Sequence, residues 1–287
     1  MRTPITSMLT LATLFAVALS VVACKYNTAT GRRQLSFISI QDQISLGEEA
    51  GAAALQEGGG PLGDSVVNQH VSRIGMQLVQ HVEPAYRDLP WEFTVVDSDQ
   101  INAFALPGGK IYIHRGLMQR MTNDAQLAGV IAHEIGHVVG EHTNERMSGT
   151  ILAQIGASAG IAAITSYSSS AWVADVVPSF IEQGTGVLLL KYNRDQESES
   201  DTLGLRYMTS AGYNPRGMLE LMQILQRASA EGARQPEFLS THPHPETRVA
   251  TIERLLAGDY AQAAADLPMH ADSFRQNIGM RIGTAGI

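Results

Sequence analysis

The chain has 287 residues, of which 44% are hydrophobic, 17% charged and 11 proline, the composition of an ordinary globular protein and not of a disordered, collagen-like or coiled-coil one. With 20 Lys+Arg against 28 Asp+Glu, a formal net charge of −8 and no basic block, it lacks the footprint of a general nucleic-acid binder. A lone cysteine excludes an internal disulfide and any cysteine-built zinc site, so a metal here has to be held by histidine and carboxylate.

The first charge, Arg2, precedes an apolar run over residues 8–22. That run is short of the roughly 20 apolar residues of a membrane span and has the proportions of a secretory signal. It closes on Val21-Val22-Ala23-Cys24, which resembles the lipobox of bacterial lipoproteins, where the cysteine is acylated and the chain is cut just before it. The resemblance implies a signal peptide over 1–23 and a lipid anchor at Cys24. Lys25 is not the Asp associated with inner-membrane retention, so the implied address is the outer membrane, facing the periplasm.

A polar tether is expected over 24–40, then a helix over 41–55 that Gly58-Gly59-Gly60-Pro61 breaks. Val67, Val71, Ile74, Leu78 and Val82 recur at spacings of three and four, which predicts a half-buried helix over 65–82. The period then changes to that of strands: 91–96, and a pair over 103–106 and 110–114 around Pro107-Gly108-Gly109. Asn123 is placed to cap a helix, with Gln126 three residues on completing a capping-box-like pair. Residues 151–165, rich in Gly, Ala and Ile, read as a buried helix or a flap, and two further helices are expected over 192–211 and 215–230. The whole reads as one α+β, helix-rich domain over 41–260 with a small sheet, followed by a peripheral tail over 261–287.

Within the capped helix stands His133-Glu134-Ile135-Gly136-His137, surrounded by Val, Ile, Ala and Gly. Residues four apart share a helix face, so both imidazoles can meet one ion, while Glu134, rotated by about 100°, is placed as a base for water. Apolar surroundings make two histidines and a glutamate costly unless they are paired or bind metal. Catalytic zinc usually takes three protein ligands. About sixty residues downstream, Glu197, Glu199 and Asp201 offer the missing carboxylate, and spacing alone does not choose among them. His142, five residues after His137, points off the ligand face and is expected to be a surface histidine; His70, His81, His114 and His270 offer no partner spacing, and the eleven methionines read as core fillers.

The combination is more specific than the metal motif. His-Glu-x-x-His followed by an Arg194-x-x-Glu197-x-x-x-Asp201 helix resembles the gluzincin metallopeptidases of the CAAX prenyl protease and HtpX type, particularly their bacterial periplasmic lipoprotein members. Further matching strings are Thr30 to Leu35, Asn102-Ala-Phe-Ala-Leu-Pro-Gly-Gly109, Leu203 to Pro215, and Ser240 to Arg248, so the likeness covers roughly 30–255. It implies a zincin-type domain with the metal between two helices, one Zn²⁺ on His133, His137 and Glu197, and Asp201 and Arg248 supporting the ligands from behind. Ser200 departs from the family's usual Ala without changing a ligand. Of the two histidines in Thr241-His-Pro-His-Pro, the spacing to Arg248 picks His242, for transition-state stabilisation or a fourth metal bond in a latched form, and leaves His244 solvated. Asn102, Ala103 and Phe104 would begin an edge strand that pairs with an extended substrate.

The reaction this implies is peptide hydrolysis, with Glu134 as general base and unfolded or misassembled envelope proteins as substrates. A competing reading is a chaperone-like assembly factor for outer-membrane proteins whose protease activity is latent behind His242.

Overall fold

Cys24, the proposed attachment point, begins an ordered strand in the computed structural model, which describes residues 24–157, 191–231, 236–243 and 245–284. The expected signal peptide, residues 158–165 of the Gly/Ala/Ile-rich segment, and His244 lie outside the described residues. Strands β1 (Cys24–Tyr26) and β2 (Arg33–Leu35) pair antiparallel, with Cys24 opposite Leu35. Residues 24–35 of the segment expected as a tether over 24–40 thus form a hairpin, and the reason lies at the end of a neighbouring helix. The last carbonyls of a helix have no intrahelical partner. The buried side-chain amides of Asn27 and Gln34 donate to Val139 O (2.8 Å) and Gly140 O (2.9 Å), which fastens the hairpin to that helix.

Helix α1 (Ile40–Gly58) opens on the Ser39 cap and stops at Gly59, as the glycine cluster implies. Helix α2 (Ser65–Val79) is capped by the Asp64 carboxylate and buries Val67, Val71, Ile74 and Leu78 along one stripe. Each such aliphatic side chain stabilises the fold by about 1.5–3 kcal/mol. Strands β3 (Glu92–Val96), β4 (Ala103–Leu106) and β5 (Lys110–His114) form a three-stranded sheet in the order β3-β5-β4, with β3 parallel and β4 antiparallel to β5. Alternation sorts the faces: Ala103, Ala105, Ile111 and Ile113 join the main core, while Leu106 and Tyr112 meet Leu46, Met147 and Ile151 in a second cluster.

Helix α3 (Asp124–Val139) carries the motif and is buried at every position, which explains its nearly continuous apolar sequence. Helix α4 (His142–Ala157) follows after a two-residue turn; α5 (Arg194–Ser210) is closed by a capping box of Asn193 and Gln196; α6 (Arg216–Glu231) and α7 (Pro245–Ala257) complete the helical layer. α5 lies directly against α3. Gly136 lets them meet, since a Cβ there would fall 2.9 Å from Ser200 Cα. The expected peripheral tail is corrected in its second half: Ala271–Phe274 runs into a π-helical turn, and Phe274 and Ile278 are fully buried in the main core. Burial of these two large apolar side chains ties the segment to the core. Among the described residues no helix is long and apolar enough to cross a membrane.

Candidate metal centre

His133 and His137, one turn apart on α3, are fully buried, and their Nε2 atoms stand 3.1 Å from each other. α5 brings Glu197 to the same point, with Oε1 3.4 Å from His137 Nε2 and Oε2 3.7 Å from His133 Nε2. Donors held at 2.0–2.2 Å around a tetrahedral zinc are about 3.3–3.6 Å apart, so these three sit close to ligand spacing. His242 ends the short helix Glu237–Thr241. Its ring stacks on Phe238 (centroids 4.2 Å apart) and its Nδ1 faces Phe238 O at 3.1 Å, which aims Nε2 into the cluster. Ligand atoms from His133, His137, Glu197 and His242 all lie within 4.8 Å of one another. Glu134 stands beside them, its Oε1 3.5 Å from His242 Nε2.

The three open carboxylates are sorted by this packing. Glu197 enters the cluster. Asp201, one turn on, lies behind it, accepting from His133 Nδ1 at 2.9 Å. Glu199 points away, toward His142 and Arg32. Arg248 spans two of them, with Nε and Nη2 donating to Asp201 (2.8 and 2.6 Å) and Nη1 2.5 Å from Glu197 Oε2.

Burial sets the electrostatics. It raises Glu134 to about 8 against the opposing pull of the Arg248 charge and the Ala105 amide, and raises Glu197 well above the usual carboxylate range. It lowers His133 to about 4, and His137 and His242 well below the imidazole range, with neighbouring positive groups adding to the effect. Burial also pushes Asp201 up, but Arg248 and His133 hold it below its ordinary value. Both oxygens of Glu134, Oε1 of Glu197 and Nε2 of His242 are buried without a formed hydrogen bond, while Glu197 Oε2 has its ion pair with Arg248. Each such orphan costs about 1–3 kcal/mol. Three buried carboxylates, Glu134, Glu197 and Asp201, face one guanidinium, Arg248, leaving two negative charges when all are ionised. One divalent cation answers both deficits, and a donor set of imidazole and carboxylate suits zinc.

The model of Peptidase family M48 matches residues 65–256, two thirds of the sequence. The chain belongs to that family. Its relatives include the beta-barrel assembly-enhancing protease of Escherichia coli, 30% identical over 231 residues, covering 75% of this chain and 44% of that protein. The mitochondrial metalloendopeptidase OMA1 of Schizosaccharomyces pombe is 27% identical over 234 residues, 81% of this chain and 66% of the relative. The bovine metalloendopeptidase OMA1 is 32% identical over 195 residues, 62% and 36% respectively. This M48 chain thus spans less than half the length of the bacterial relative.

One expectation fails at the site of this M48 chain. His142 is not a surface histidine: it is fully buried, with Nδ1 2.9 Å from His137 Nδ1 and Nε2 3.0 Å from Glu199 Oε2. Helix periodicity does not apply, because α3 ends at Gly140 and Glu141, at a φ of 50°, turns the chain back. Tyr192, which carried no signal in the sequence, stacks on His137 with ring centroids 3.8 Å apart. His70 also has a buried partner, Asp124 Oδ1 at 2.7 Å, whereas both ring nitrogens of His114 are without one among the described residues.

β4 is an edge strand of the sheet. Asn102 O accepts from His114 N at 3.0 Å, so the antiparallel alternation turns the backbone groups of Ala103 and Ala105 away from β5. The Phe104 ring stacks on Tyr112, on the sheet face away from the main core.

Proposed function

We propose that this chain is a zinc-dependent endopeptidase that hydrolyses peptide bonds of periplasmic or outer-membrane proteins in quality control, anchored by lipid at Cys24. The observation that carries the reading is the convergence of His133, His137 and Glu197 beside a buried Glu134, with the outward backbone of β4 next to them. Zinc held by these three supplies Lewis acidity and a water acidified toward a pKa of about 7. Glu134, raised by burial, is suited to take the proton of the attacking water and pass it to the leaving amine. Asp201 fixes the His133 ring by accepting from Nδ1, and Arg248 holds Asp201 in place. Asn102, Ala103 and Phe104 start the strand along which an extended substrate adds its own.

His242 supports a second, compatible reading. Its Nδ1 faces Phe238 O at 3.1 Å and Thr241 Oγ1 at 2.9 Å; donating to that carbonyl would leave Nε2 a lone pair facing the cluster, the tautomer of a ligand and not of an oxyanion donor. This favours a resting form in which His242 is the fourth donor and proteolysis is latent, as a chaperone-like role in outer-membrane protein assembly would allow. Two substitutions test both readings. Glu134→Gln is expected to keep zinc and lower cleavage of an unfolded outer-membrane protein by about 10²–10⁴-fold; retained cleavage overturns the protease assignment. His242→Ala raises cleavage if the latch dominates and lowers it if His242 only stabilises the transition state. For the anchor, palmitate labelling that survives Cys24→Ser would refute lipid attachment at that residue.

A further inference from the structure

Each of the two histidines on α3 has an outer ring nitrogen pointing away from the cluster, and each finds a different partner. Behind His133 stands Asp201, held by Arg248. Behind His137 stands His142, then Glu199, then Arg32 in the turn of the N-terminal hairpin. We infer that His142, Glu199 and Arg32 form a positioning relay for His137, so that the hairpin over residues 24–35 is a working part of the metal site. The inference rests on the zinc reading above.

The zinc reading sets the hydrogen-bond directions in the relay. With a metal on Nε2 of His137, which faces His133 and Glu197, its Nδ1 would carry the hydrogen and donate to His142 Nδ1. His142 therefore keeps its hydrogen on Nε2, where it donates to Glu199 Oε2 at 3.0 Å. The Ser200 hydroxyl, 3.4 Å from His142 Nδ1, lies at the same acceptor. Glu199 is in turn fixed by Arg32, whose Nε and Nη2 donate to its two oxygens at 2.6 and 2.9 Å. Arg32 also holds Glu145 through Nη1 and Nη2 at 2.6 and 2.7 Å, and Gln196 donates to the same carboxylate at 2.9 Å. The bidentate Arg32 guanidinium on one side and His142 on the other leave Glu199 one orientation.

Two features show that the chain is shaped around this arrangement. A Cβ on Gly140 would lie 2.5 Å from His142 Nε2, so only glycine lets the ring pass over the end of α3. The hairpin is also anchored independently of Arg32, by Asn27 and Gln34 on the last carbonyls of α3 and by Lys25 on Glu141 at 2.6 Å. Arg32 thus reaches Glu199 from a fixed base.

The test measures zinc affinity of the full chain in detergent by chelator competition, with the visible spectrum of the cobalt-substituted protein as a second readout. Partners of this kind typically change metal affinity by about 10–100-fold. His142→Phe is expected to weaken zinc within that range and shift the cobalt bands. His142→Gln, which keeps an acceptor and a donor, recovers most of the affinity. Arg32→Met, at a partly exposed position, is expected to weaken zinc by roughly threefold to tenfold while Arg33→Met, pointing outward in the same hairpin, does not. Wild-type affinity and spectrum in both His142→Phe and Arg32→Met overturn the relay, provided His133→Ala abolishes binding. Binding that survives His133→Ala overturns the metal site itself, a separate result. Should His142→Phe fail to fold, Arg32→Met and Glu199→Ala decide alone.

Discussion

The contact between α3 and α5 sets the distance from the two histidines to Glu197, and Gly136 is where it can be moved. An alanine Cβ there would stand 2.9 Å from Ser200 Cα, 3.0 Å from Ser200 O and 3.2 Å from Ser200 Cβ. Comfortable contacts are about 3.5–4.0 Å, so Gly136→Ala must open the helix pair by roughly 0.5–1 Å. Glu197 lies three residues from Ser200 and moves with it. Its oxygens are now 3.4 and 3.7 Å from the histidine nitrogens. Zinc–ligand distances tolerate only about 0.2 Å. Overpacking costs about 1–3 kcal/mol and alanine returns about 1 kcal/mol of helix propensity, so the metal-free protein loses up to about 2 kcal/mol. The larger effect is on zinc: a tenfold weaker site at fixed excess zinc gives about 1.4 kcal/mol less metal-dependent stabilisation, a Tm rise smaller by roughly 3–6 °C. Melting curves with zinc and with EDTA separate the two terms. Gly149→Ala, where a Cβ meets nothing within 4 Å, is the control and is expected to raise Tm in both conditions. A Gly136→Ala protein with the wild-type zinc-induced rise would refute the argument that this contact sets the ligand spacing.

Other consequences are open to measurement. Phe274→Ala is expected to destabilise the fold by about 3–5 kcal/mol in urea, because the ring is fully buried; an unchanged midpoint would return residues 271–282 to the periphery. Burial pushes the Glu145 carboxylate up, but hydrogen bonds from Arg32 and Gln196 hold it below its ordinary value. A depressed carboxylate contributes stability that is complete above the unfolded pKa of about 4.3 and lost as pH falls through the folded one. Wild type should therefore lose stability more steeply below about pH 4 than Arg32→Met does, and parallel pH curves would contradict this. If the substrate pairs with β4, N-methylation of alternate peptide amides is expected to lower kcat/KM by about tenfold at one parity and little at the other; equal effects would dismiss the edge-strand register.

Local chemistry carried most of the correct sequence expectations. The stripe from Val67 to Leu78, the cap at Asn123 and the strands on either side of Pro107-Gly108-Gly109 all depend on neighbours within a few residues; the structure has the cap and both strands at the expected positions and the helix three residues shorter at its end. His133 and His137 were legible for the same reason, since four residues on a helix is a fixed geometry. The choice among Glu197, Glu199 and Asp201 was not, because three carboxylates on one helix differ only in what packs against each. Resemblance pointed to Glu197, and the packing of α5 on α3 gives the physical reason.

The residues misread share a different cause. The helix before His142 predicts an exposed position, yet its place is decided by Glu141, a non-glycine residue at a φ of 50° that reverses the chain. Such a conformation costs about 1 kcal/mol or more and persists only where contacts hold it. Here Glu141 is buried and bonded to Lys25 Nζ at 2.6 Å, Tyr86 Oη at 2.9 Å and Asn144 Nδ2 at 3.1 Å. One of those contacts, from Lys25, comes from the N-terminal hairpin, whose polar sequence resembles that of a tether. The two errors are therefore one: a segment of polar residues beside the proposed anchor looks free until the carbonyls ending α3, the turn at Glu141 and the Glu199 carboxylate are seen to need its side chains. Long-range polar satisfaction leaves no periodicity in a sequence, and in this chain it connects the proposed anchor segment to the back of a candidate zinc ligand.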